Sequence, residues 1–198
     1  MVDVDGVVIV HPDSQGWARH LERDLGLSPE ALQTAFFHRH WQDIVLGRAA
    51  LQERLAPVLA EIAPHLRPDQ LMRYWFENDA CLDRGLLAQL APIRESGVQL
   101  HLATVQEHER ARYIWDELAL REHFDGMHYA AELGWAKPDA LFFRAIEAKA
   151  GFSAAEIFFI DDKQANVDAA RALGWNAALW DGTESLMELI ARCPISGL

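Results

Sequence analysis

The stretch Met1-Val2-Asp3-Val4-Asp5-Gly6-Val7-Val8-Ile9-Val10 decides how this chain is read: an apolar run interrupted by two carboxylates and a glycine. Side chains two apart on an extended segment point the same way, so Asp3 and Asp5 face one point at the mouth of a strand. Gly6 lets the backbone turn there. Far downstream a second apolar run, Ile157-Phe-Phe-Ile160, ends in Asp161-Asp162 and makes the natural partner of the first. Carboxylates about 4 Å apart repel by roughly 4 kcal/mol at an effective dielectric of about 20, so a cluster of them requires a cation. An all-oxygen ligand set favours a hard ion, Mg²⁺ before Ca²⁺ or Mn²⁺.

Outward from these two runs the chain divides by pattern. His11-Pro12-Asp13-Ser14 closes the first extended run, and Ser14 is placed to cap a helix reaching Leu25, where Gly26 stops it. Ser28-Pro29-Glu30 starts another helix, residues 47–62 a third and residues 69–76 a fourth. No clear strand falls between Ser14 and Ala80. From Leu86 onward helices alternate with short apolar strands: 98–103 ending at Thr104, 127–130, 157–160 and 176–180. Helices are expected at 86–95, 107–118, 138–150, 165–173 and from Glu184. Alternation of this kind implies a parallel sheet covered on both faces, with chemistry beyond the carboxyl ends of its strands. Asp3, Thr104 and Asp161-Asp162 all stand at such ends.

The 198 residues, 51% of them hydrophobic, suffice for a proper core. A net charge of -12 and the absence of a basic stripe argue against nucleic acid as a partner. Cys81 and Cys193 lie in no metal or redox spacing and read as buried or inert thiols. No apolar run is long enough for a membrane span, and the N-terminus is acidic where a signal peptide is basic, so the expected location is the cytoplasm.

In order along the chain, Asp3-Val-Asp5-Gly6-Val7-Val8, Leu102-Ala-Thr104, Lys137-Pro138-Asp139 and Ile160-Asp161-Asp162 followed by Asn166 resemble the motifs of the haloacid dehalogenase superfamily, mostly Mg²⁺-dependent phosphatases. The resemblance spans the chain. It implies an α/β, Rossmann-like core with a parallel sheet, formed by residues 1–12 and 84–198, and an inserted α-helical cap at residues 13–83. Asp3 is then the nucleophile toward phosphorus, and Asp5 the acid and base for the leaving alcohol and the attacking water. Thr104 and the Val105 amide bind the phosphoryl group, and Lys137 balances charge on it. Asp3, the Asp5 carbonyl, Asp161 and Asp162 hold Mg²⁺, while Asn166 orients a metal ligand or Lys137. His11, at the entry to the cap, is a candidate substrate contact.

The resemblance implies hydrolysis of a small phosphorylated metabolite, with sugar-phosphate phosphatases and the N-terminal domain of soluble epoxide hydrolases as the nearest branch. Asp5 argues against the founding dehalogenases, since a halide leaves without protonation. A sugar phosphomutase on the same core is one alternative, told apart by dependence on a bisphosphate activator. A non-catalytic binding protein is another. Two departures stand out. Val105 occupies the place where many relatives carry Asn, and only Met1 and Val2 precede Asp3, which leaves the central strand short. The short strand is read either as frayed or as Met1 being an internal methionine of a longer natural chain. His38 and His40 point to opposite sides of a helix and cannot share one ion. Trp17, Phe36, Phe37, Trp41, Tyr74, Trp75 and Phe76 are expected in the core of the helical segment.

Overall fold

The computed structural model describes residues 1–10 and 16–193. The cap expected from Ser14 and the contact expected from His11 lie outside them. The sheet is built around Met1–Asp3, which pairs in parallel with strands on both sides. Val2 donates to the His101 carbonyl at 2.8 Å and its own carbonyl accepts from Ala103 at 2.9 Å. On the other side Asp3 donates to Ile160 at 3.0 Å, and Ile160 donates to Met1 at 3.1 Å. The flanking strands are β1 (His101–Thr104) and β3 (Phe158–Asp161). Outside them lie β2 (Gly126–Tyr129), in register with β1, and β4 (Asn176–Leu179), in register with β3, all parallel. The order is therefore β2, β1, Met1–Asp3, β3, β4, an α/β sheet with its carboxyl ends on one edge.

Past Asp3 the expected extended run does not continue. The amides of Val7, Val8 and Ile9 all turn back to the Val4 carbonyl, at 3.2, 2.9 and 2.8 Å. The apolar side chains are buried by this tight turn and not by a strand. The chain re-extends at Ile9, which bridges antiparallel to Leu82, and Val10 donates to Cys81 at 2.9 Å. Both ends of the intervening helical segment thus leave the core side by side.

That segment holds α1 (Leu21–Leu25), α2 (Pro29–Leu32), α3 (His38–Val45), α4 (Leu51–Ile62) and α5 (Pro68–Asn78), with one wide π turn at Gln33–Phe37 joining α2 to α3. Ser28 caps α2 by accepting from the Ala31 amide at 3.3 Å. The helix expected from Gly47 begins instead at Leu51, because Gly47 adopts φ +72° and closes the end of α3. Leu21, Leu32, Phe36, Leu55, Leu71 and Trp75 form its core, and the expected aromatics all belong to that cluster. Val45, however, packs into the cluster of Phe142, Phe143 and Phe159 beneath the sheet. A Cβ on Gly47 would come within 2.2 Å of the Ala131 carbonyl oxygen, so this bare turn is what lets α3 rest against the sheet's open edge.

The remaining helices are α6 (Arg84–Glu95), α7 (His108–Arg112), α8 (Ala130–Leu133), α9 (Ala140–Ala150), α10 (Gln164–Ala172) and α11 (Leu186–Arg192). α7 is shorter than expected because a π turn, Tyr113–Glu117, replaces its second half. Pro138 does not open α9; Asp139 caps it, accepting from the Leu141 amide at 2.8 Å. Cys81 is exposed and Cys193 partly so, which removes burial from the two expected alternatives, buried or inert.

Candidate active site

At the sheet's carboxyl edge the end of the first segment, Asp3, meets the end of β3, Asp161-Asp162. Oxygens of Asp3, Asp161 and Asp162 lie within 4.8 Å of one another, the one such group of potential metal ligands among the described residues. Asp3 ends the central segment with only 4% of its surface exposed. Its Oδ1 accepts from the Val4 amide at 2.7 Å and pairs with Lys137 Nζ at 2.7 Å, which fixes the carboxylate's orientation. Lys137 also donates to Asp161 Oδ2 at 2.6 Å. Asp161 is held further by Asn166 Nδ2, 2.9 Å from each oxygen, and by the Lys163 amide at 2.8 Å. Of the two roles expected for Asn166, it takes the first: it orients a carboxylate of the cluster and not Lys137.

Asp162 sits over Gly6. A Cβ at Gly6 would fall 2.4 Å from Asp162 Oδ2, and φ there is +86°, so glycine is needed twice over. Asp162 Oδ1 is buried without a hydrogen-bond partner. Three carboxylates around one ammonium carry a net negative charge, and a buried oxygen left unpartnered costs about 1–3 kcal/mol. Both facts fit a hard divalent cation, and the donors are all oxygen. The Asp5 carboxylate is not part of this group; the part expected of Asp5 in metal binding is that of its main-chain carbonyl.

Asp5 lies instead in the turn after the strand, where its Oδ2 accepts from Gln106 Nε2 at 2.6 Å and its Oδ1 is buried with no partner. Thr104 ends β1 fully buried, and its Oγ1 also has no partner. Two polar atoms without a partner among the described residues thus lie just past the carboxyl end of the central segment and at the end of β1. Val105 puts its side chain into the apolar cluster under the sheet, leaving its amide as the only group for a ligand.

Burial pushes the Asp3 carboxyl up to about 7 against the pull of Lys137. Burial also raises Asp162, opposed by Lys163. Asp161 is buried too, yet Lys137 and the Asn166 and Lys163 hydrogen bonds outweigh that burial and hold it below the usual range. Asp5 is raised, first by burial and then by Asp79, with Arg110 opposing.

Sequence reasoning missed Gln106, Arg110 and Asp79. Arg110 is 1% exposed, pairs with Asp79 Oδ2 at 3.1 Å, and donates to the carbonyls of Phe76, at 3.0 Å, and of Asp79. Its guanidinium lies over the rings of Phe76 and Tyr113, at 5.4 and 5.6 Å. For Gln106 a signal existed: the amide missing at Val105 reappears one residue on. For Arg110, inside Glu109-Arg-Ala-Arg112, there was none.

The family model described as a haloacid dehalogenase-like hydrolase matches residues 1–174. A sesquiterpene phosphatase of Aspergillus oryzae, astK, is 31% identical over 175 residues, covering 84% of this chain and 85% of that protein. Among solved structures, a haloacid dehalogenase family enzyme of Bacteroides thetaiotaomicron, in complex with magnesium and inorganic phosphate, superposes with a TM-score of 0.73 at 18% identity, over 95% of this chain and 96% of that one. A predicted hydrolase of the same family from Porphyromonas gingivalis gives 0.76 at 20% identity, over 96% and 94%. At such identities the structural likeness speaks for the fold alone.

Proposed function

The chain belongs to the haloacid dehalogenase-like hydrolases, and from that membership we propose that it is a Mg²⁺-dependent phosphatase, hydrolysing a small phosphomonoester through an aspartyl-phosphate on Asp3. The observation that carries the reading is the meeting of Asp3, Asp161 and Asp162 within 4.8 Å, with Lys137 bonded to two of them. The sesquiterpene phosphatase relative and the magnesium and phosphate held by the structural neighbour support it.

In this reading Asp3, Asp161, Asp162 and the Asp5 carbonyl hold the cation. When bound it offsets the carboxylates' charge and that of the phosphoryl oxygens. Asp3, oriented by Val4 and Lys137, attacks phosphorus in line; the ester P–O bond breaks as the Asp3–phosphorus bond forms. Asp5 gives its proton to the departing alkoxide and becomes a carboxylate. It then takes a proton from the water that attacks the aspartyl-phosphate, which returns Asp3 and releases phosphate. Thr104 Oγ1, buried and unpartnered, donates to a phosphoryl oxygen, and Lys137 balances the charge that develops there. The helical segment, resting on the open edge through Gly47 and Val45, keeps bulk water out.

The test is a panel of phosphate esters with and without Mg²⁺, run on the wild type and on Asp3→Asn. Metal-dependent release of phosphate that drops at least about 10³-fold in the variant is expected. Absence of such turnover in the wild type, or equal turnover in the variant, overturns the reading.

A further inference from the structure

Gln106 lies outside the carboxylate cluster, yet it is 4% exposed and its amide reaches across 101 residues of sequence to one oxygen of Asp5. Its position is fixed from both sides. Upstream, Thr104 is the last residue of β1; downstream, Glu107 caps α7 by accepting from the Glu109 and Arg110 amides. The Gln106 carbonyl accepts from the Ala131 amide at 3.1 Å, which ties the segment to the start of α8. A side chain so anchored holds its partner at one place.

We infer that Gln106 is a positioning residue for the general acid: by donating to Asp5 Oδ2 it turns Oδ1 toward the leaving group and assigns the transferable proton to Oδ1. This rests on the phosphatase reading and deepens it. A carboxylic acid carries its proton on either oxygen. An amide N–H directed at Oδ2 at 2.6 Å leaves room for an acceptor only, so the hydroxyl form is confined to the other oxygen. Oδ1 is the oxygen with no partner among the described residues. As the ester P–O bond breaks, the alkoxide oxygen takes the proton from Oδ1 and Asp5 is left ionised, its Oδ2 still held by Gln106. In the second half the water's proton returns to the same oxygen.

Gln106→Met keeps the side chain's length and volume and removes its donor. The experiment compares turnover of an alkyl phosphate, whose alkoxide must be protonated to leave, with p-nitrophenyl phosphate, whose phenolate leaves without help, both with Mg²⁺. The expected result is a roughly tenfold or greater loss of kcat/KM on the alkyl ester, with kcat/KM for p-nitrophenyl phosphate within about threefold of wild type, since kcat/KM covers only the steps up to release of the alcohol and leaves out the water step that Asp5 serves for both esters. Both esters meet the same preparation, so the ratio of the two losses does not depend on how much of the variant is folded. Equal losses on the two esters, with the wild type active and Asp3→Asn dead, overturn the role of Gln106 and leave the phosphatase reading standing. A wild type inactive on both esters overturns the phosphatase reading, and this inference with it.

Discussion

Thr104 carries a hydroxyl that the fold does not use. It is fully buried at the end of β1, and its Oγ1 meets no acceptor or donor among the described residues. Leaving a polar atom so costs about 1–3 kcal/mol, and a protein tolerates such a cost where the atom has work with a ligand. Thr104→Val, the same shape without the hydroxyl, is therefore expected to keep or raise stability, by about 1 kcal/mol in urea unfolding, while kcat on a phosphate ester falls about 10- to 100-fold. Loss of both together would mean the hydroxyl has a structural partner. Residues of this kind were legible in the sequence, since Asp3, Thr104 and Asp161-Asp162 stand at the ends of apolar runs and Lys137 stands just before the capped start of α9. Gln106 and Arg110 were not, because what defines them is a partner far away: Asp5 lies 101 residues from Gln106, and the Phe76 carbonyl 34 from Arg110. Local pattern holds no record of such pairs.

At the scale of elements the same distance effect decides what was foreseen. Helices α2, α5, α6 and α10 fall close to where their caps and apolar spacing put them, because those signals are local. The stretch Val4–Ile9 reads as a strand and is a turn, since burial of Val7, Val8 and Ile9 is satisfied equally well by either and only the tertiary contacts choose. The end of α5 depends wholly on such contacts. There Arg110, reaching from α7, donates to the Phe76 and Asp79 carbonyls and pairs with the Asp79 carboxylate, so one side chain fixes the return of the helical segment to the core. Burial lowers its pKa from the usual guanidinium value, and Asp79 and Asp5 oppose that. Arg110→Met keeps the apolar stem and abolishes all these bonds. We expect a loss of about 3–5 kcal/mol in urea unfolding, as for breaking one side of a buried ion pair. Arg110→Lys should fall between, because one ammonium cannot reach two carbonyls and a carboxylate in the guanidinium's planar arrangement. A cost below about 1 kcal/mol for the Met variant would show that α5 is held by its aromatic packing alone.

For the molecule as a whole the weak point is the central position of the sheet. Met1 begins it, and its ammonium is enclosed between β1 and β3, donating to the Phe158 carbonyl at 2.6 Å. Below it lies a cavity of about 470 Å³ lined by Val98, Leu100, Ile157, Leu186 and Ile190. Burial lowers the pKa of this amine from 8.0 to about 5. Between those values the unfolded chain holds a proton that the folded one has lost, so stability declines as pH falls from 8 toward 5 and is unaffected above 8. The full effect is at most about 4 kcal/mol. His128 acts with the same sign at lower pH: burial, with His101 stacked on it at 5.3 Å, brings it from 6.5 to about 4. Adding a short apolar segment ahead of Met1 converts the amine into a peptide N–H and also removes its charge from beside His128 and His101, whose pKa values it helps to lower, an effect of the same sign. The extended protein should therefore be the more stable of the two, by a margin that widens as pH is lowered from 8 to 5 and stays constant above 8. The measurement is urea unfolding of both forms across that range, taken as a difference so that the raised carboxyls cancel. Parallel curves at every pH would mean that the Met1 amine reaches water and keeps its ordinary pKa in the folded chain.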